Sequence, residues 1–273
     1  MVQNYARVVL SHSGSRTAIR SSTCAARITC STESSGSILA QRVSIAGWLP
    51  TCIRRYVPKV ANQPGAKPFV PKTGSLKVLM RAAQKCQGCA LYRAATQAVL
   101  GEGPASATVV LVGEQPGDRE DLAGRPFVGP AGGLLDRALA DAGIERSEVY
   151  LTNAVKHFKF EERGKRRIHK KPSSTEIADC KPWLEAELGI IQPRLIVCLG
   201  ATAARSVIGP HHRLLQERGR FFPYASAEAV TATVHPSAIL RAPDPAQRQL
   251  DYTEFVKDLT AVRKWLQRAT KGA

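Results

Sequence analysis

The side chains able to do chemistry gather in five short stretches of the chain. Gly113-Glu114-Gln115-Pro116-Gly117 makes a tight turn after the apolar run Thr108 to Val112, and Asp118, Glu120 and Asp121 crowd the residues beyond it. Phe127 and a Gly/Pro-rich corner follow, and a helix is expected from near Ala131. A strand that ends in glycine, polar groups and a helix start is where an open α/β sheet places its ligand. The same residues would also suit an ordinary acidic loop. Asn153 closes a second apolar run, and its amide can donate and accept at once. His169 lies in the basic stretch Lys165-Arg166-Arg167-Ile168-His169-Lys170-Lys171, and His235 precedes Pro236 and Ser237 in Val234 to Arg241. Such a basic stretch suits phosphate binding, and its cations disfavour imidazolium, so His169 is expected to be neutral and nucleophilic.

The fifth stretch is a set of thiols. Seven cysteines divide into Cys24, Cys30 and Cys52, which carry no recognisable role, and Cys86-x-x-Cys89 with Cys180 and Cys198. Two thiolates at the Cys-x-x-Cys spacing can ligate one metal centre from a single turn. Four suit zinc or an iron–sulfur cluster, while a lone pair could be redox-active. Spacing alone favours zinc, and Cys198, inside an apolar run, also reads as a core thiol.

Alternating strands and helices must position these groups. Strands are predicted at Thr108–Gly113, Val149–Asn153, Arg194–Leu199 and Ala229–Val234. Helices are predicted at Ser75–Lys85, Ala131–Ala142, Ser174–Ile190, Ala201–Val207 and Gln249–Arg268, the third with an N-cap near Ser174. The pattern implies a three-layer α/β/α sandwich around a mainly parallel four-stranded sheet. Three of the motifs follow predicted strands and so meet at the carboxyl end of that sheet.

Length allows one large or two small domains, and a hydrophobic fraction of 44% suffices for a core. No apolar run approaches the ~20 residues of a membrane span. A net charge of +17 suggests a polyanionic partner. That charge is uneven: residues 1–77 hold eleven Lys and Arg against one acid, Glu33, which is +10 of the +17. Residues 1–73 read as a basic, disordered extension ending in a proline-rich linker, 74–268 as the working domain and 269–273 as a tail. Organellar targeting by the extension is the lesser reading.

Taken together, Gly113 to Gly117, Thr152 to Phe158, Lys165 to Lys171, Val234 to Arg241 and the cysteine set resemble the uracil-DNA glycosylase superfamily. Within it they resemble the iron–sulfur, family 4-like branch, and most closely the UdgX type. Glutamine at 115, where family-4 enzymes usually carry alanine, and the Lys-Arg-Arg-Ile-His stretch carry the last distinction. The resemblance covers about Leu76 to Gln267.

The resemblance implies a DNA repair enzyme that excises uracil from DNA, preferably single-stranded. Phe127 would stack on the base, Asn153 would read its edge and His235 would face O2, stabilising the leaving charge. Glu114 would face the sugar. Gln115, Asp118 and Asp121 would orient loops, and Arg167 and Ser237 would hold phosphates. His169 would attack C1′ after uracil leaves and tie the protein to the abasic site. Cys86, Cys89, Cys180 and Cys198 would hold a [4Fe-4S] cluster, which implies a reducing compartment. The chain is expected to be a cytoplasmic, nucleoid-associated monomer of bacterial type. Two alternatives remain open: a conventional glycosylase that uses water and turns over, and a non-catalytic iron–sulfur DNA-binding module.

Overall fold

A computed structural model describes residues 64–271. The readings made for residues 1–63, including Cys24, Cys30 and Cys52, lie outside the described residues.

The core is one five-stranded sheet in the order β2-β1-β5-β7-β6. Its strands are β1 (Val109–Gly113), β2 (Val149–Asn153), β5 (Leu195–Leu199), β6 (Phe221–Tyr224) and β7 (Ala227–Thr233). β1, β2, β5 and β7 pair in parallel, and β6 joins the edge antiparallel to β7. The expectation of four strands is therefore one short. The missed strand reads Phe-Phe-Pro-Tyr, and its proline removes a ladder donor that only an edge position can spare.

Every residue of β1, β2 and β5 is buried, because helices cover both faces. On one side α3 (Pro130–Asp141), α7 (Pro236–Leu240) and α8 (Pro245–Lys271) pack on Val109, Leu111, Leu195 and Val197. On the other side α4 (Ser174–Ile191) and α5 (Ala201–Val207) pack on Val110, Val112, Ile196 and Cys198. α4 starts from a capping box: Ser173 Oγ accepts from Glu176 N, and the Glu176 carboxylate accepts from Ser173 N.

Four smaller elements escaped the sequence reading, α7 among them. α2 (Asp118–Ala123) is under two turns long. α6 (Leu214–Glu217) is a single turn. The basic stretch is a hairpin, β3 (Phe160–Arg163) against β4 (Arg166–His169), with Gly164 at its tip in the left-handed region. Its run of charges hides the alternation that marks a strand.

α1 (Leu76–Ala83) and α4 enclose a third apolar cluster with Cys86, Cys89, Cys180 and Trp183. Within the stretch read as linker, Ala66 is buried and its N–H donates to Asp179 O at 2.7 Å, so residues 64–70 lie against α4. No described helix is long and apolar enough to cross a membrane.

Candidate active site

β2 and β5 lie on opposite sides of β1, so the chain's crossovers part there and open a crevice at the carboxyl ends of the strands. A cleft of about 670 Å³ occupies it, lined among others by Glu114, Gln115, Phe127, Asn153, His169, His235 and Arg241. Main-chain bonds join the loops beyond β1 and β2: Ala154 N donates to Gly113 O at 2.9 Å and Val155 N to Glu114 O at 3.0 Å.

Gly113 lets two of these side chains meet. A Cβ there would stand 2.3 Å from Asn153 Oδ1 and 2.8 Å from Phe127 Cζ. Phe127 holds φ at 56°, a left-handed conformation that costs a non-glycine residue ~1–2 kcal/mol and clusters at functional sites. Glu120 closes this corner by accepting from Gly117 N at 3.1 Å and Gly129 N at 2.8 Å. Beneath Asn153 the fully buried Lys156 donates from Nζ to Asn153 O (2.6 Å), Thr152 Oγ1 (2.8 Å) and Glu187 Oε2 (2.6 Å). Glu187 also accepts from Gly101 N and Tyr150 Oη, so the buried charges are satisfied.

His235 stacks near Phe127, ring centres 6.1 Å apart. Ser237 N donates to its Nδ1 at 3.1 Å, which fixes Nδ1 as an acceptor and leaves the neutral ring's proton on Nε2. Burial first, then the charges of Arg241 and His169, pulls the His235 pKa down to about 4. The ring is thus a neutral donor at pH 7. Ser237 Oγ lies 2.8 Å from the same Nδ1 and accepts from Arg241 at 3.3 Å, so Ser237 orients His235 and its N–H is not free for a phosphate.

His169, half-exposed on β4, turns its Nε2 toward Glu114 Oε1 at 3.6 Å. Gln115 is buried beside it. Its amide nitrogen donates to Lys159 O (3.1 Å) and Lys170 O (3.0 Å), and its oxygen accepts from Lys159 N (3.2 Å). These bonds fix the amide's orientation, so the nitrogen 3.0 Å from His169 Nε2 presents a donor to it. Nε2 must then carry a lone pair and Nδ1 the proton. Two amide hydrogens serve three acceptors, so this hold on the ring is weak. The His169 pKa is lowered, chiefly by burial; Glu114 opposes and Arg241 adds to the shift. The cause is not the hairpin's own cations, as the sequence suggested. Lys170 pairs with Glu161 at 2.5 Å, and Arg167 is committed elsewhere.

Arg167 donates to Asp118 Oδ1 at 2.5 Å and Asp121 Oδ2 at 2.6 Å, and its guanidinium lies over the rings of Phe158 and Phe160 at 5.5 and 5.0 Å. Two carboxylates and two rings leave it little to offer a phosphate. It pins the hairpin to α2, and Asp118 and Asp121 are its anchors. Asp121, fully buried, also accepts from Thr96 N at 3.0 Å.

Residues 100–260 match the model of the uracil DNA glycosylase superfamily. The chain belongs to that superfamily. It is 34% identical over 190 residues to a Type-4 uracil-DNA glycosylase of Thermotoga maritima, a match spanning 69% of this chain and 95% of that protein. It is 36% identical over 191 residues to a Type-4 uracil-DNA glycosylase of Pyrobaculum aerophilum, spanning 67% of this chain and 91% of the relative. A Type-5 uracil-DNA glycosylase of the same organism is 30% identical over 157 residues, 50% of this chain and 64% of that protein.

Within this superfamily fold, three of the four expected cysteine ligands come together. Cys86, Cys89 and Cys180 share the cluster between α1 and α4; burial, the larger cause, lifts Cys89 to about 11 and Cys180 to about 12, with Cys86 adding to both shifts and Cys89 to that of Cys180. Donors already face two of the sulfurs: Trp183 Nε1 to Cys86 Sγ and Lys156 N to Cys180 Sγ, both 3.2 Å. Cys198 does not join them. It sits in mid-sheet on β5, two strands from β2 and in the separate cluster under α4 and α5, and burial alone raises its pKa. An apolar strand position signalled this outcome. Among the described residues, no three His, Cys, Asp or Glu side chains stand close enough to hold a single metal ion.

The sequence reading passed over Arg241, which acts on both imidazoles, and the Lys156–Glu187 pair under Asn153. It also passed over His157, which is buried with no hydrogen bond among the described residues. A lysine within an apolar run was the available signal for the pair; nothing local marks the other two.

Proposed function

We propose that this chain excises uracil from DNA and that His169 then captures the sugar. The observation that carries the first half is the meeting of Phe127 and the Asn153 amide over Gly113 in a cleft that His235 shares. Phe127 offers a stacking face for an extruded base. The Asn153 amide can donate to O4 and accept from N3–H of uracil; cytosine would set donor against donor. As C1′–N1 breaks, the bonding pair leaves with the base, and neutral His235 Nε2–H stabilises the charge at O2. Glu114 faces the cationic sugar.

The second half rests on the His169–Gln115–Glu114 contacts. The Nε2 lone pair adds to C1′, and the ring then loses its Nδ1 proton to solvent. The neutral N-alkyl imidazole that remains is a poor leaving group, so the adduct persists. Lys165, Arg166 and Lys171, which form no ion pair among the described residues, are suited to backbone phosphates in place of Arg167.

For Cys86, Cys89 and Cys180, donors aimed at buried sulfurs suit thiolates that ligate iron. A [4Fe-4S] cluster bound there would brace α1 against α4. Its fourth ligand falls to a residue other than Cys198, and His157, one residue past the N–H that meets Cys180, has the chemistry for it.

A uracil-bearing single strand run on a denaturing gel tests the reading. A shifted band in the wild type, with His169→Ala releasing uracil but forming no band, is expected. Release with turnover by the wild type and no band would establish the conventional alternative. Binding without release would establish a non-catalytic module.

A further inference from the structure

We propose that residues 64–70 are a strap that seals the cysteine cluster, so that the chain keeps its iron only while this segment is docked. The inference rests on the iron-ligating reading of Cys86, Cys89 and Cys180 and adds what guards that site. None of the strap's residues lines the base cleft, so its role is separate from uracil recognition.

The segment touches both halves of the thiol set. Ala66 N donates to Asp179 O at 2.7 Å, which ties the strap to the residue before Cys180 on α4. On its other side the strap lies backbone to backbone on the Cys86–Cys89 turn. A Cβ on Gly88 would stand 2.6 Å from Ala66 N and from Gly65 C and O, closer than any side chain tolerates, so glycine alone admits the contact. Ala66 is 1% exposed and belongs to the same apolar cluster as the three cysteines, and Phe69 and Val70 pack against that cluster. Gly65 holds φ at 68°, in the left-handed region that suits glycine. A 3-10 turn at Lys67–Phe69 follows, with Phe69 N donating to Ala66 O at 2.9 Å.

The hold on the strap is local and light. Among the described residues, one hydrogen bond, one buried methyl group and two partly buried side chains fasten it. Segments held this way open without unfolding the rest of a domain. Under the strap Cys86 and Cys89 are 6% and 5% exposed. Lifting it uncovers the turn that carries both thiols. Iron bound there would then leave through strap opening and not through unfolding of the sheet, at a rate set by the open fraction.

The test follows iron transfer from anaerobically purified full-length protein to bathophenanthroline, with dithionite as reductant, by the colour of the ferrous chelate. Uracil release from a single strand is assayed on the same fresh samples. Gly65→Val puts a β-branched residue at a left-handed φ, and Phe69→Ala strips the strap's largest apolar contact; neither alters a cysteine or the cleft. Each is expected to raise the open fraction, and with it iron release, about tenfold, while uracil release by fresh protein stays within about twofold of wild type. Lys67→Ala, at an exposed position of the same segment, should keep the wild-type rate of iron release. Unchanged iron release in the strap variants would overturn the proposal, as would faster release seen only together with loss of uracil release in fresh protein. If Gly65→Val does not fold, Phe69→Ala decides alone. A wild type that carries no iron as purified would instead bring down the metal reading, and this one with it.

Discussion

Gln115 offers the sharpest test of how His169 is held. Gln115→Ala deletes three hydrogen bonds to the hairpin backbone, at Lys159 O, Lys170 O and Lys159 N, and the donor facing His169 Nε2. A neutral bond contributes ~1 kcal/mol net. Lys159 and Lys170 are not buried, so water can replace part of each loss, leaving about 1–2 kcal/mol of local stability. The hairpin itself should persist, because its strand pairing, Lys170 N to Lys159 O at 2.9 Å and the Arg167 anchors are untouched. What is lost is the footing of the His169 end of the hairpin, together with the weak hold on the ring. At 1.4 kcal/mol per decade, crosslinking should slow about tenfold. Uracil release, which the proposal assigns to Phe127, Asn153 and His235, should stay within about threefold. Gln115→Glu, which sets a carboxylate against two carbonyl oxygens, should be worse than alanine. Adduct on a denaturing gel and free uracil, followed in one single-turnover time course, separate the two steps. A parallel fall in both, or faster crosslinking in Gln115→Ala, would refute the argument.

Gly113→Ala, whose Cβ would stand 2.3 Å from Asn153 Oδ1, should lose uracil release by ~10²-fold, as for a lost site donor, while a denaturant melt shows a folded protein. The lowered pKa of His169 keeps its nucleophilic form above a midpoint under 6.5, so crosslinking should fall as pH drops through that midpoint. Release, relying on His235 with a pKa of about 4, should continue to lower pH; coincident profiles would contradict the two-histidine scheme. Cys86→Ala should lose iron and Cys198→Ala should retain it, by metal analysis of anaerobically purified protein; iron loss in Cys198→Ala would restore the sequence expectation. Lys156→Met leaves Glu187 charged and unpaired in the core and should cost about 3–5 kcal/mol in a urea melt.

The apolar runs Val109–Gly113, Val149–Asn153 and Leu195–Leu199 were legible without a structure, because strands covered on both faces must be apolar throughout. The motifs at their ends followed, since a parallel sheet places every such loop on one edge. Cys86-x-x-Cys89 was legible because both thiols lie within one turn. Partners distant in sequence were not. Arg167 reads as one cation among the five of Lys165 to Lys171, and only the packing of β4 on α2 commits it to Asp118 and Asp121, more than forty residues away. The family resemblance assigned Cys180 and Cys198 alike to the cluster, and the apolar run around Cys198 only hinted otherwise; packing puts one on the helix face toward α1 and the other on a central strand. The proton positions on His169 and His235 depend on which donors reach each ring nitrogen. Ser237 supplies one locally, two residues along at the start of α7, whereas Gln115 supplies the other only once the hairpin is docked, so tertiary structure decides the proton position on His169.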